Sequence, residues 1–249
     1  MYASASKVKR LSRKCNNCFV DGNQKKLFAC SGCRSQQYCS KECQKADWKK
    51  HKPMCQNNMM VESALKAHEG TLEGMMDRLT LVDGVSVYEL DKRLEKWVQW
   101  HKQNLLVATI KALRLSEDAS RARTHILCIK LEPRGQAEHQ GAPGKYFRVE
   151  DAEVVEVEEC MRRDRPWPES IAQVRQMDED SGRNGRGYVA AAMIECPPLY
   201  VQTVPFGSIT ERSGRLLVLD GMWKEDLVRN VEEGQRVKLF QGPSHGGNY

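Results

Sequence analysis

Seven cysteines and one histidine within the first 55 residues stand at spacings that metal sites use. They read Cys15-x2-Cys18, Cys30-x2-Cys33, Cys39-x3-Cys43 and His51-x3-Cys55. Zinc takes four soft or borderline ligands at the corners of a tetrahedron. A CxxC turn offers two thiolates, and its backbone N–H groups can bond the sulfurs. An x3 spacing puts both ligands on one face of a helical turn. Eight ligands make two full sets. With every corner filled by protein, no place is left for a reactive water, so zinc here stabilises a fold and does no catalysis. The expected cofactor is two structural zinc ions.

The elements around these residues follow from local signals. Lys25 to Cys30 and Gln37 to Cys39 read as two short strands about the turn Ser31-Gly32. Ser40 can cap a helix from Lys41 to about Lys50, with Pro53 just past its end. Residues 56–120 read as helical. Gly70 and Gly74 are soft spots, and Ser86 with Glu89 forms a capping box. Behind that box Leu90, Leu94, Trp97, Val98, Leu105, Leu106, Ile110 and Leu113 recur at helical spacing, a stripe made to face a core. The period then changes. Thr124–Leu131, Tyr146–Val149, Val154–Glu158, Tyr188–Cys196, Leu199–Val204, Arg215–Asp220 and Arg236–Phe240 read as strands. Pro166–Met177 and Lys224–Glu233 read as helices, and Ser181–Gly187 as a mobile loop. Helices followed by strands predict an α+β fold, a small cysteine-rich module and then a mainly antiparallel domain. The expected organisation is a basic disordered tail over 1–14, the metal module over 15–55, a helical segment over 56–120, the α+β domain over 121–240 and a flexible tail over 241–249.

The full spacing, C-x2-C-x11-C-x2-C-x5-C-x3-C-x7-H-x3-C, together with the run CSKECQKADWKKHKPMC, resembles the MYND-type zinc finger. All eight ligand positions match over residues 15–55. The resemblance implies a cross-braced topology. Cys15, Cys18, Cys39 and Cys43 would hold one zinc, and Cys30, Cys33, His51 and Cys55 the other. Spacing alone leaves a sequential pairing equally open. The resemblance also implies binding of short proline-rich peptides around a Pro-x-Leu-x-Pro core, in a groove between the short sheet and the helix. Gln44 and Trp48 match groove-lining positions one helical turn apart, and Gln37 flanks them. Trp48 would stack on a proline ring and Gln44 would bond the extended backbone. The competing view of Trp48 is a plug in a small core. Beyond the finger, Trp97–Leu131 resembles fungal MYND-containing proteins of no assigned activity.

Other classes are weaker. Some MYND proteins are lysine methyltransferases with the finger inserted in a SET domain. That arrangement needs chain ahead of the finger, where 14 residues stand, and an Asn-His-x-Cys motif that is missing. A SET-less relative with residual activity is the enzymatic alternative. His125 and Cys128, three apart in a strand, read as core fillers. The expectation is a non-enzymatic interaction protein.

Charge is asymmetric. Residues 1–55 carry thirteen Lys/Arg against three Asp/Glu, a formal +10, and the remainder carries −4. Two zincs and seven thiolates bring the first figure to +7. Lys25, Lys26, Lys41, Lys45, Lys49, Lys50 and Lys52 could meet phosphates, so a weak nucleic-acid binder is the remaining alternative. No run approaches 18 apolar residues and the N-terminus has no apolar leader, so no membrane partner is expected. Paired CxxC spacings point to an intracellular site, nucleus or cytoplasm, with Cys128, Cys160 and Cys196 as reduced thiols.

Overall fold

The computed structural model describes residues 14–22, 24–199, 201–210 and 221–237. The chain divides into two compact units, Met1–Met75 and Met76–Tyr249. Of the expected tail over 1–14 only Lys14 is described, in an isolated antiparallel bridge with Asp21, and the expected tail over 241–249 and strand Arg215–Asp220 lie outside the described residues.

In the first unit, β1 (Phe28–Ala29) and β2 (Gln37–Tyr38) pair antiparallel, Phe28 opposite Tyr38. The helix α1 (Lys41–His68) follows, with Ser40 as its cap: the hydroxyl accepts from the Cys43 N–H at 3.3 Å. The expected stop at Lys50 does not occur. Pro53 lies inside α1. A proline removes one helical N–H bond and crowds the carbonyl four residues back. Here His51 and Cys55, on either side of it, are both buried in one side-chain cluster, which offsets that loss. A short turn then leads to α2 (Leu72–Thr80).

The division between the units falls within α2, and α3 (Val87–Ala112) is the first helix wholly in the second. Both bonds of its capping box are present: Ser86 Oγ accepts from the Glu89 N–H at 3.1 Å, and Glu89 accepts from the Ser86 N–H at 3.1 Å. Four strands follow, β3 (His125–Pro133), β4 (Phe147–Glu156), β5 (Tyr188–Glu195) and β6 (Gln202–Ile209), with α4 (Gln136–His139), α5 (Val157–Cys160), α6 (Trp167–Arg183) and α7 (Trp223–Glu232) between and after them. The sheet order is β4-β3-β5-β6. β3 runs antiparallel to β4 and parallel to β5, and β5 antiparallel to β6. The parallel pair arises because the chain returns from β4 through α5 and α6 before β5 begins.

Alternation along β3 sorts its side chains onto two faces. Leu127, Ile129 and Leu131 join Leu90, Leu94, Trp97, Leu105, Leu227 and Val231 beneath α3 and α7. Ile126 and Cys128 join Cys160, Trp167, Ile171 and Val174 beneath α5 and α6. The domain is therefore a mainly antiparallel sheet with helices on both faces. The stripe residues of α3 are buried, with Leu106 partly so.

Several sequence expectations shift. Tyr146–Val149 and Val154–Glu158 merge into β4, because a bulge opposite Lys130/Leu131 absorbs Glu150 and keeps both halves facing inward. Val157 and Glu158 move into α5. The expected loop 181–187 begins inside α6, and Ser181 is buried, its hydroxyl donating to the Gly187 carbonyl at 2.7 Å. Of the expected strand Arg236–Phe240, only residues 236–237 are described, and they are not in a strand. His125 is half-exposed at the start of β3, whereas Cys128, Cys160 and Cys196 are buried free thiols.

One polar cluster closes the α3 side. His101 is fully buried. Its Nε2 donates to the Gly144 carbonyl at 2.8 Å and its Nδ1 accepts from Asn104 at 2.9 Å. Asn104 also donates to the Gln235 carbonyl and accepts from the Val237 N–H, both at 2.7 Å, while the Trp100 indole donates to the Gly234 carbonyl at 2.9 Å. Gly144 is required there, since a Cβ would come within 2.4 Å of the Trp100 indole nitrogen.

Candidate metal centre and the face beside it

The fold brings the eight candidate ligands into two groups. Cys15, Cys18, Cys39 and Cys43 form one, and Cys30, Cys33, His51 and Cys55 the other, with the ligand atoms of each group within 4.8 Å of one another. The pairing is interleaved along the chain. The first CxxC meets the two cysteines around the start of α1. The second meets His51 and Cys55, about two and three turns further along that helix.

The separations test whether a zinc fits. Zinc–sulfur bonds of about 2.3 Å at tetrahedral angles set sulfur–sulfur edges of about 3.8 Å, and a zinc–nitrogen bond of about 2.0 Å sets a mixed edge of about 3.5 Å. Cys18–Cys39 and Cys39–Cys43 are each 3.5 Å apart, and Cys30–Cys55 is 3.8 Å. Cys33 Sγ lies 3.5 Å from His51 Nε2. These are tetrahedral edges and are far beyond a disulfide bond of about 2.05 Å. His51 presents Nε2 to the thiols, and its Nδ1 is buried without a partner among the described residues. Two clusters of these donor types fit two zinc ions.

Both CxxC turns are built alike, a detail the spacing does not reveal. The residue after each second cysteine, Phe19 and Arg34, sits at φ +62° and +56°. Its N–H bonds back to the carbonyl of the first cysteine, Phe19 to Cys15 at 2.9 Å and Arg34 to Cys30 at 3.0 Å. Left-handed backbone at a non-glycine residue is costly and persists only where its surroundings hold it. In the second turn Gly32 has no room for a side chain, because a Cβ would lie 2.9 Å from Met59 Sδ and 3.1 Å from Cys55 Sγ. Amide groups aimed at sulfur favour the thiolate. Burial raises the Cys15 thiol, yet N–H groups of Cys18, Cys39 and Asn17 outweigh it and pull the pKa down to about 6. Cys30 also falls to about 6, with burial opposed by His51 and by the backbone of Cys33 and Gly32.

The groove candidates occupy different positions. Trp48 is 42% exposed and meets His51 edge-on, ring centroids 6.0 Å apart. It does not plug the small core. Tyr38 fills that place instead, 1% exposed, its hydroxyl 2.7 Å from Gln36 Oε1 and from Asp47 Oδ2. Gln44 is half-buried, and its amide nitrogen donates to Cys30 Sγ at 3.6 Å. Gln37 has its backbone tied to Asn16, whose Oδ1 accepts from the Gln37 N–H at 2.8 Å and whose N–H donates to the Gln37 carbonyl at 2.9 Å. Sequence reasoning missed Tyr38, Asp47 and Asn16. Their signal was faint, one aromatic between cysteines and two common polar residues.

The MYND finger family matches residues 15–55. Residues 15–55 are a MYND finger. Such fingers are protein-interaction modules and not catalysts. The chain is 40% identical over 68 residues to SET domain-containing protein 14 of Caenorhabditis elegans, covering 27% of this chain and 14% of that protein. It is 51% identical over 41 residues to Egl nine homolog 1 of Homo sapiens, 16% of this chain and 10% of that one. Tudor domain-containing protein 1 of Oryzias latipes is 42% identical over 43 residues, 17% of this chain and 3% of the relative. The chain thus spans a small fraction of each relative's length. No solved structure matches. No helix among the described residues is long and apolar enough to cross a membrane.

Proposed function

We propose that the MYND finger captures a proline-rich segment of a partner protein and that the chain acts as a non-enzymatic regulatory adaptor. Cys15, Cys18, Cys39 and Cys43 ligate one zinc in this reading, and Cys30, Cys33, His51 and Cys55 the other. Residues 15–55 then form the binding module, followed by the helical segment 56–120, whose α3 packs on the sheet, and the α+β domain 121–240. The observation that carries the peptide reading is Trp48, a large ring left 42% exposed on a module with little core to spare. An indole steadied by an edge-on contact with His51 has little freedom to lose, so stacking on a proline ring costs little conformational entropy. Gln44 is held by its N–H on Cys30, which leaves its carbonyl oxygen for a ligand amide. Gln37 borders the same short sheet.

A titration of the chain with Pro-x-Leu-x-Pro peptides tests this. Micromolar binding that Trp48→Ala abolishes, with two zincs still bound per chain, is the expected result. Equal binding by the variant, or no binding by the parent, defeats it.

A further inference from the structure

The surroundings of Trp48 specify the partner further. On a helix a residue's face neighbours lie three and four positions away. For Trp48 these are Gln44, Lys45, His51 and Lys52. Lys41, two turns back along α1, continues the same face. Lys41, Lys45 and Lys52 are all exposed. None makes an ion pair among the described residues. Glu42 attracts Lys45 across one turn without pairing with it, and Asp47 is engaged by the Tyr38 hydroxyl at 2.7 Å. The apolar ring therefore stands among ammonium groups, with no carboxylate at its neighbouring positions. The positive charge survives metal loading. Residues 15–55 hold eight basic and three acidic side chains, and two zincs with seven thiolates leave +2.

Resting on the peptide reading above, we infer that the finger selects proline-rich segments flanked by aspartate or glutamate, the lysines around Trp48 reading the acidic flank. Exposed charges of this kind act mainly on encounter and on the choice between partners, and salt screens them. A neutral proline peptide uses Trp48 and Gln44 alone. A basic one is repelled.

Three peptides sharing one Pro-x-Leu-x-Pro core, flanked by glutamates, glutamines or lysines, are titrated into the full chain at low and at high salt. The glutamate peptide is expected to bind about five- to tenfold tighter than the glutamine peptide at low salt, with the lysine peptide weakest. The spread should shrink towards equality near 0.5 M salt. In the charge-reversed variant Lys45→Glu/Lys52→Glu, zinc content staying at two, the order should invert in favour of the lysine peptide. Equal affinities for all three peptides, or an unchanged order in the reversed variant, overturn the acidic preference while leaving proline recognition standing. No binding by any peptide removes both. A DNA duplex that outcompetes the glutamate peptide through the same lysines also overturns it, and assigns the charge to nucleic acid.

Discussion

The finger and the domain behind it solve the same problem with different material. The finger's buried set is Cys15, Cys30, Tyr38, Cys39 and Cys55 with His51, four thiols, one tyrosine and one imidazole. The second unit instead buries Leu, Ile, Val, Trp and Phe on both faces of a four-stranded sheet. A module of 41 residues cannot bury enough apolar surface to hold itself, so metal–ligand bonds replace the core. The longer domain has the sheet area to do without. Two consequences follow. The finger's surface is released from core duty, so Trp48 can stay exposed, and its stability becomes conditional on zinc.

Chelation should separate the two regions most sharply. Structural zinc contributes about 10–16 kcal/mol to small metal modules. Stripping both ions should therefore unfold residues 15–55 while β3 to β6 stay folded. Limited proteolysis with and without chelator reads this directly, and a finger that keeps its protection would break the comparison. Next in size, Trp97→Ala should cost the second unit about 3–5 kcal/mol, because the ring is fully buried and packs tilted against His101 and edge-on against Phe147. The urea midpoint of that unit should fall, and zinc per chain should stay at two. Loss of zinc would show that the units are not independent.

Acid provides the finest comparison. Burial holds the His101 imidazole at about 4, below its ordinary 6.5, reinforced by Arg236 and Arg134 and opposed by the bond to Gly144. The unfolded imidazole takes a proton as pH falls below 6.5 and the buried one resists. Stability is thus full above pH 6.5 and drains away between 6.5 and 4, by on the order of 3 kcal/mol. Urea midpoints across that window should slope downward, and His101→Gln should flatten them. The finger also weakens in acid, for a different reason: its ligands must lose protons to hold metal.

Much of the finger was legible because ligand chemistry is written in residue type and interval. Which ligands share an ion was not, because two pairings satisfy the same spacing. In the second unit the Ser86–Glu89 cap and the α3 stripe were readable, since both are local. Misreadings came where distant partners decide. Pro53 suggested a helix end, but the second CxxC turn, grouped with His51 and Cys55 on either side of the proline, holds the helix through it. Tyr146–Val149 and Val154–Glu158 read as separate strands, yet a bulge against Lys130/Leu131 carries one strand across the gap between them. The parallel pairing of β3 with β5 joins segments about sixty residues apart and has no local signature.

The interleaved sets also bear on the order in which the chain is made. Along residues 15–55 a nascent chain presents Cys15, Cys18, Cys30 and Cys33 as the first quartet, and these four are divided between the two groups, two to each. An ion that arrives early therefore meets the wrong quartet first. Only when Cys39 and Cys43 emerge can the first pair find its partners, and only with His51 and Cys55 can the second. An ion held by that early quartet has to exchange ligands before both groups can close, and the exchange needs the segment through Cys55.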